Sequence, residues 1–309
     1  LDQVHIATAL RAGDVDLIEI VPTDQFDRFS KDPAFATAVS PSNRLMFLTL
    51  DSDREVTPHI AGRDGKPIPN PLRDVRVRKA LSMAINREAL VSRVMQGQGL
   101  PTNDLAPPGY FGASPELAKP QTFDLPGAKK LLAEAGYPEG FAVQINGPND
   151  RYVNDEQVVQ AVGQMWSRAG LAATVETRPR GTWLSESAQL KYSVNLSGFS
   201  PNPEVLGMLE ALIHTVDPSR GFGPANRGRF SNAAIDRLIE QARTTMDDGE
   251  RERISREATR MAVVEQQALI PLYFQTNTWA MRKGLRYEAR TDEMTLATSV
   301  GKAPTGNGQ

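Results

Sequence analysis

The spacing of apolar residues divides the chain into alternating helices and strands. Between Asp74 and Ile85, the residues Val77, Leu81, Ala84 and Ile85 recur at i, i+4, i+7 and i+8, which puts them on one helical face. Asp74 suits the N-cap, because its carboxylate can accept a backbone N–H left free in the first turn. Asn86 can cap again, and Glu88 suits the first turn that follows. Leu90, Val91, Val94 and Met95 make the next stripe, and Gly97 suits its stop. Arg76, Arg78, Lys79, Arg87 and Arg93 fall mostly off these stripes, so a packed helix pair with a solvated basic face is expected.

The same reading extends along the chain. Residues 1–29 read as a short helix and then a buried strand, VDLIEIVP, stopped by Pro22. NRLMFLTLDSD, residues 43–53, is apolar on both alternating sets, as in a strand covered on both faces. AGRDGKPIPNP, residues 61–71, is a loop and a candidate domain crossing. Residues 100–123 are Pro-rich and aperiodic, a long loop of the kind that often has a function. Asp124 opens a helix that Gly136 ends. FAVQING, NDEQVVQAVGQMWSRAG and LAATVETR then read as strand, helix and strand with short joints, a βαβ unit with parallel strands. A further strand covers 191–199. Helices follow over 203–213, 232–246 (opened by Ser231) and 250–267, and a closing strand covers 271–282. The class is α/β.

Composition narrows the function more than the fold. The chain has 309 residues, 40% hydrophobic and 23% charged, in the ordinary globular range. A net charge of −2 and a pI near 6.0 argue against a nucleic-acid partner. With no cysteine there is no disulfide, thiolate metal site or Cys nucleophile. No apolar run approaches a membrane span. LDQVHIATALRAGDVDL has acids and a Gly where a signal peptide needs an apolar core, so no signal segment is expected in this stretch.

No enzyme motif is visible. His5, His59 and His214 lie far apart and in no metal-ligand spacing. HExxH, G-x-S-x-G and the Walker pattern are absent, and GFGPANRG does not complete G-x-G-x-x-G. No catalytic residue, metal ligand or cofactor is therefore expected. Binding is better supported, since ligands of open α/β sheets sit outside the carboxyl ends of strands. NGPNDRYVND, residues 146–155, offers Arg151, Tyr152 and Asn154 there, and an arginine can fork onto a carboxylate. SGFSPNPEVLG, residues 197–207, offers Phe199, Ser200 and Asn202, or is a plain turn built by its prolines. Arg227 and Arg229 in NRGRFSN can hold an anion, or the segment merely caps the next helix.

Several segments resemble the peptide- and nickel-type solute-binding proteins (family 5) of bacterial ABC importers. They are DVRVRKALSMAINREALVSRVMQGQG with the following APPGYFG, then FDLPGAKKLLAEAGYPEGF, GQMWSRAGLAATVE, SNAAIDRLIEQA and ALIPLYFQTNTWA, in order over almost the whole chain. ALRAGDVDLIE resembles the stretch preceding these in the family. The resemblance implies a periplasmic-binding-protein-like two-lobed α/β fold that closes on its ligand and hands it to a membrane permease. It implies a periplasmic or envelope-lipoprotein location and a C-terminal portion of such a protein. On that basis 72–270 is expected to be one complete lobe, with 1–71 and 271–309 contributing parts of the other. Arg151 lies near the place where dipeptide-binding members hold the peptide carboxylate. Those members also hold the peptide ammonium with an Asp after a Gly-Trp pair. Here the pair is Gly198-Phe199, and Glu204 is the only acid that follows in SPNPEVL. The implied ligand is a peptide or peptide-like molecule, including glutathione-like ones. A ligand sensor or scaffold on the same fold, and a hydrolase with scattered catalytic groups, stand as alternatives.

Overall fold

A computed structural model describes residues 3–200 and 204–303. The chain opens with α1 (Gln3–Ala12), β1 (Leu17–Glu19) and α2 (Thr23–Lys31), then the long β2 (Phe35–Leu50) and the short β3 (Ile60–Ala61). The expected helix pair is α3 (Val75–Met83) and α4 (Arg87–Ala89), the latter widening into a π turn over Leu90–Val94. β4 (Gly99–Pro101), the Pro-rich loop and α5 (Leu125–Glu134) follow. β5 (Ala142–Pro148), α6 (Asp155–Arg168) and β6 (Ala172–Arg178) form the βαβ unit, and β5 pairs parallel to β6. Next come α7 (Arg180–Ala188), β7 (Val194–Phe199), α8 (Leu206–Met208, continued to Ile213), α9 (Ala233–Thr244) and α10 (Asp248–Arg260). The chain returns through β8 (Leu269–Arg282), β9 (Leu285–Tyr287) and β10 (Val300–Lys302).

Most caps are the expected ones. The side chains of Asp74, Asn86 and Asp124 each accept a backbone N–H of the helix they open. For α9 the cap is Asn232 rather than Ser231, because the Asn232 side chain reaches both Ala234 and Ile235. Two helices were not foreseen. α2 buries little beyond Thr23 and Phe29, and α7 little beyond Trp183 and Ser187, so neither shows an apolar stripe.

One sheet carries the molecule, in the order β1-β8-β2-β7-β5-β3, with β4 on β8 and β6 on β5. β2 and β8 run antiparallel along almost their whole length, with a register break between Pro41 and Leu45. On one side of that break both faces of β2 are buried. Met46, Leu48 and Leu50 enter a core with Ile60, Leu72, α3 and α6, while Leu45 and Phe47 enter another with α9 and α10. On the other side β8 feeds two small cores. Ala280 packs with Leu10 and Phe29, and Trp279 and Met281 pack with Tyr287. Residues 45–72 thus pack with the large cores.

The solvated basic face expected of the helix pair is only half present. Arg76 and Arg93 reach solvent, but Arg78 and Arg87 are 4% and 1% exposed. Arg78 donates to the carbonyls of Leu72 (2.8 Å), Gln266 (2.6 Å) and Gln267 (3.1 Å). Arg87 donates to Pro271 O (2.7 Å), Ser82 O (3.1 Å) and Ser82 Oγ (2.8 Å). These two guanidiniums pin the helix pair to the start of β8 by donating to backbone carbonyls on both sides of the joint. Burial pushes Arg87 down to about 9, which leaves it charged at neutral pH. The Pro-rich loop is closed in a similar way by Asp104, whose carboxylate accepts the N–H groups of Leu105 (2.7 Å) and Ser114 (2.6 Å).

Arg87→Met should lower the unfolding free energy by about 3 kcal/mol, since it removes three buried hydrogen bonds, to Pro271 O, Ser82 O and Ser82 Oγ. Arg93→Ala, on the exposed side, should change it by less than about 0.5 kcal/mol; urea denaturation separates the two. Asp104 gives a pH signature. Burial pushes its carboxyl up from 3.8 to about 6. The native state therefore holds this proton more tightly than the unfolded chain, and stability falls as pH rises through that window, by up to about 3 kcal/mol. Denaturation of wild type and Asp104→Asn from pH 3.5 to 7 should show this slope in the difference between them.

Candidate ligand-binding cleft

The sheet opens where β8 changes partner. Its outer edge pairs with β4 as far as Gln275 and with β1 from Trp279 onward. A cavity of about 600 Å³ lies against this stretch, walled by residues 275–279, the loop 149–155, and the side chains of Glu19, Arg44 and Glu293. It sits beside the register break of β2, where the large cores give way to the small ones.

Loop 149–155 is built rather than loose. The buried Asp155 carboxylate accepts the N–H groups of Arg151 (2.9 Å) and Tyr152 (2.9 Å), and that of Glu156 as well (2.9 Å). Burial holds the Asp155 carboxyl above its ordinary range, opposed by those same hydrogen bonds. Tyr152 Oη accepts from Gly198 N (3.0 Å) and donates to Gly198 O (3.2 Å), fastening the loop to the end of β7. Position 198 has to be glycine for this, because a Cβ there would lie 2.8 Å from both the Tyr152 ring and Met46 Sδ. Asn154 adopts φ +53°, and its Nδ2 donates to Thr23 Oγ1 (3.0 Å) and Val94 O (2.8 Å). Its amide nitrogen therefore joins this loop to α2 and to the helix pair.

Arg151 is different. Its guanidinium stands over the Tyr152 ring at 4.9 Å and lines the cavity. Among the described residues it has no carboxylate or carbonyl partner. Across the same ring, at 5.7 Å, lies Arg44. Arg44 Nε donates to both oxygens of Glu293 (2.8 and 2.9 Å), Nη2 donates to one of them, and Ser42 Oγ donates to Glu293 at 2.8 Å. Glu293 holds a φ of +61°, strained for a residue with a side chain.

The structure thus brings Arg151, Tyr152 and Asn154 together on one cavity wall. It does not bring the other expected residues there. Phe199 pairs with Leu45 and packs against the second large core, and Ser200 Oγ is buried without a partner among the described residues. Asn202 lies outside the described residues. Arg227 and Arg229 sit at the far end of β2, where Gly228 O accepts from Ser52 N (2.8 Å). Leu50 lies six positions beyond Arg44, about 20 Å along a strand. Asn226 organises that segment by bonding to His214 O (3.0 Å) and Phe230 O (2.8 Å). Sequence reasoning missed Arg44, Glu293 and Trp279. The one available signal was Arg44 itself, an arginine at the start of a strand apolar on both faces. Among the described residues no cluster of His, Asp and Glu can hold a metal ion, and no helix is long and apolar enough to cross a membrane.

Comparison with known proteins agrees with this architecture. The family model described as bacterial extracellular solute-binding proteins, family 5 Middle, matches residues 2–216. The glutathione-binding protein GsiB of Escherichia coli (strain K12) is 26% identical over 286 residues, 90% of this chain and 52% of that protein. Among solved structures, the dipeptide binding protein of Pseudoalteromonas sp. SM9913 in complex with Met-Leu matches with a TM-score of 0.81 at 20% identity, over 98% of this chain and 57% of that one. The periplasmic binding protein DppA of Helicobacter pylori in complex with the peptide STSA also gives 0.81, at 18% identity, over 97% and 55%. The fold is that of these two-lobed binding proteins, and the chain spans about half the length of the curated relatives it matches.

Asp155→Ala removes the acceptor for two loop amides, so a stability loss of about 1–2 kcal/mol is expected. Hydrogen exchange should accelerate at residues 151 and 152 well before it does in α6.

Proposed function

The chain belongs to the bacterial extracellular solute-binding proteins of family 5, and we propose on that premise that it captures a small peptide-like solute in the cleft beside β8. The observation that carries the reading is the cavity of about 600 Å³ with the Arg151 guanidinium on its wall and no protein acceptor for it among the described residues. Solute-sized sites are concave, with a few well-placed polar groups that set orientation. Arg151 supplies a fork for a carboxylate. Tyr152, held at both ends of its polar tip by Gly198, supplies a rigid aromatic wall.

The lobes part within β2 and β8. Residues 45–50 and 269–274 go with the large cores, and 279–281 with the small ones. On this reading residues 45–71 belong to the larger lobe, and closure bends the crossing strands at the break between Pro41 and Leu45. The loaded protein acts outside the cytoplasm and delivers its solute to a membrane permease. Capture and delivery need no bond to be made or broken.

The test is ligand binding by the intact protein. A thermal-shift panel of di- to pentapeptides, glutathione, opines, sugars and Ni²⁺ should find a peptide-like ligand. At about a hundred times its Kd the ligand adds about 2.7 kcal/mol and raises Tm by several degrees. Arg151→Ala should abolish the shift for ligands with a free carboxylate and spare their amidated forms. A panel in which sugars or Ni²⁺ shift the protein and no peptide does would overturn the substrate class.

A further inference from the structure

The donors and acceptors around the cleft do not balance. Every acid on its wall is engaged by the protein. Asp155 holds three backbone N–H groups. Asp150 accepts from Arg180 N (2.5 Å), and Glu19 accepts from Thr295 Oγ1. Glu293 accepts from both Arg44 and Ser42. The bases are less engaged. Arg151 has no acceptor among the described residues, and Arg44 uses only its Nε and Nη2 edge, leaving Nη1 without one.

This is the geometry of a presented arginine. A guanidinium carries five N–H donors in a fixed fork. When one edge is clamped by a carboxylate, the other edge points away from the clamp in a set direction. Arg44 and Glu293 both line the cavity, and 15% and 25% of their side chains are exposed. Arg44 also stands within 5.7 Å of the Tyr152 ring that Arg151 covers at 4.9 Å. Two guanidiniums with unused donors therefore share one aromatic wall. The left-handed backbone of Glu293 adds weight, since strain of this kind persists where the surroundings hold it in place.

We propose that Arg44, positioned by Glu293, is a second anion-binding group of this cleft, and that the solute carries two carboxylates, one for Arg151 and one for Arg44. The proposal rests on the cleft being a solute site, and it narrows the class from peptide-like to acidic peptide-like. A charge-assisted, forked contact is among the stronger polar contacts a site can offer. Losing it should reduce affinity by at least about tenfold.

The experiment uses isosteric pairs that differ only in the second carboxylate: Ala-Glu against Ala-Gln, and Glu-Ala against Gln-Ala. Affinities are measured calorimetrically on the intact protein. Wild type should prefer the acid over the amide in at least one pair by at least about tenfold. Arg44→Lys keeps the charge and loses the fork. The double variant Arg44→Gln/Glu293→Gln removes both charges, so neither is left buried without its partner. Each should collapse the acid-to-amide ratio toward one, and Glu293→Gln alone should lower it by loosening Arg44. If the amides bind as well as the acids in wild type, or the preference survives in both Arg44 variants, this inference fails and the solute-binding reading stands. If none of the four ligands binds, this inference fails, and the peptide-like reading fails with it only if no member of the di- to pentapeptide and glutathione panel binds.

Discussion

Everything in this molecule is hung on the pairing of two strands. β2 and β8 run antiparallel through both the large cores and the small ones, so the two sets are fixed relative to each other by backbone hydrogen bonds rather than by side-chain contact alone. That pairing slips twice, between Pro41 and Leu45 and again between Met46 and Phe47, and β8 changes its outer partner near the level of the first slip. A break in a ladder leaves backbone groups and side chains without their regular neighbours. Here Arg44 stands at the break and Thr276–Thr278 lie across from it, and the cavity forms against both. The cleft is a consequence of how the crossing strands are joined.

Four arginines show how little residue type says about role. Arg78 and Arg87 are buried, yet they find backbone carbonyls where α3 and α4 meet the start of β8, and they act as fasteners. Arg44 finds a carboxylate on one edge only. Arg151 finds a ring and no acceptor among the described residues. The difference lies in which acceptors the fold brings near each guanidinium. A buried donor that is fully engaged contributes stability, and one left partly free beside a cavity is available to a ligand.

That distinction also sets the limit of what could be read from the sequence. Strand and helix order was legible because both periodicities were strong. Met46, Leu48 and Leu50 against Leu45 and Phe47 forecast a strand buried on both faces, and the cores contain both sets. The βαβ unit, its parallel pairing and the caps at Asp74, Asn86 and Asp124 were legible too. The place of the loop carrying Arg151, Tyr152 and Asn154, at the end of β5 and beside the cavity, was legible because a strand end is a defined place. The burial of Arg78 and Arg87 was not legible, since their carbonyl partners Gln266, Gln267 and Pro271 lie more than a hundred and eighty residues away. Arg44 and Glu293 are 249 residues apart, and no local pattern links them. Arg227 and Arg229 lie away from the cavity, at the far end of β2. An arginine pair around a glycine looks like an anion nest, but this glycine is there because the Leu50 carbonyl leaves no room for a Cβ, which would lie 2.4 Å away.

The loop that carries Arg151 is held in place before any solute is considered. Asp155, Gly198 and the pair of Thr23 and Val94 fix the loop at three separate points, each on a different element. A loop fixed in this way loses little conformational entropy when a ligand arrives, so contact energy appears as affinity instead of being offset by ordering. The anchors also belong to both sides of the strand break. Thr23 opens α2, beside the small cores, and Gly198 ends β7, beside the large ones. Any bend of β2 and β8 at the break must strain the Asn154–Thr23 contact or carry the loop along with it. The geometry of Arg151 and the angle between the core pairs are therefore coupled, and under the proposed function a solute that prefers one arrangement of the arginine would select an angle with it.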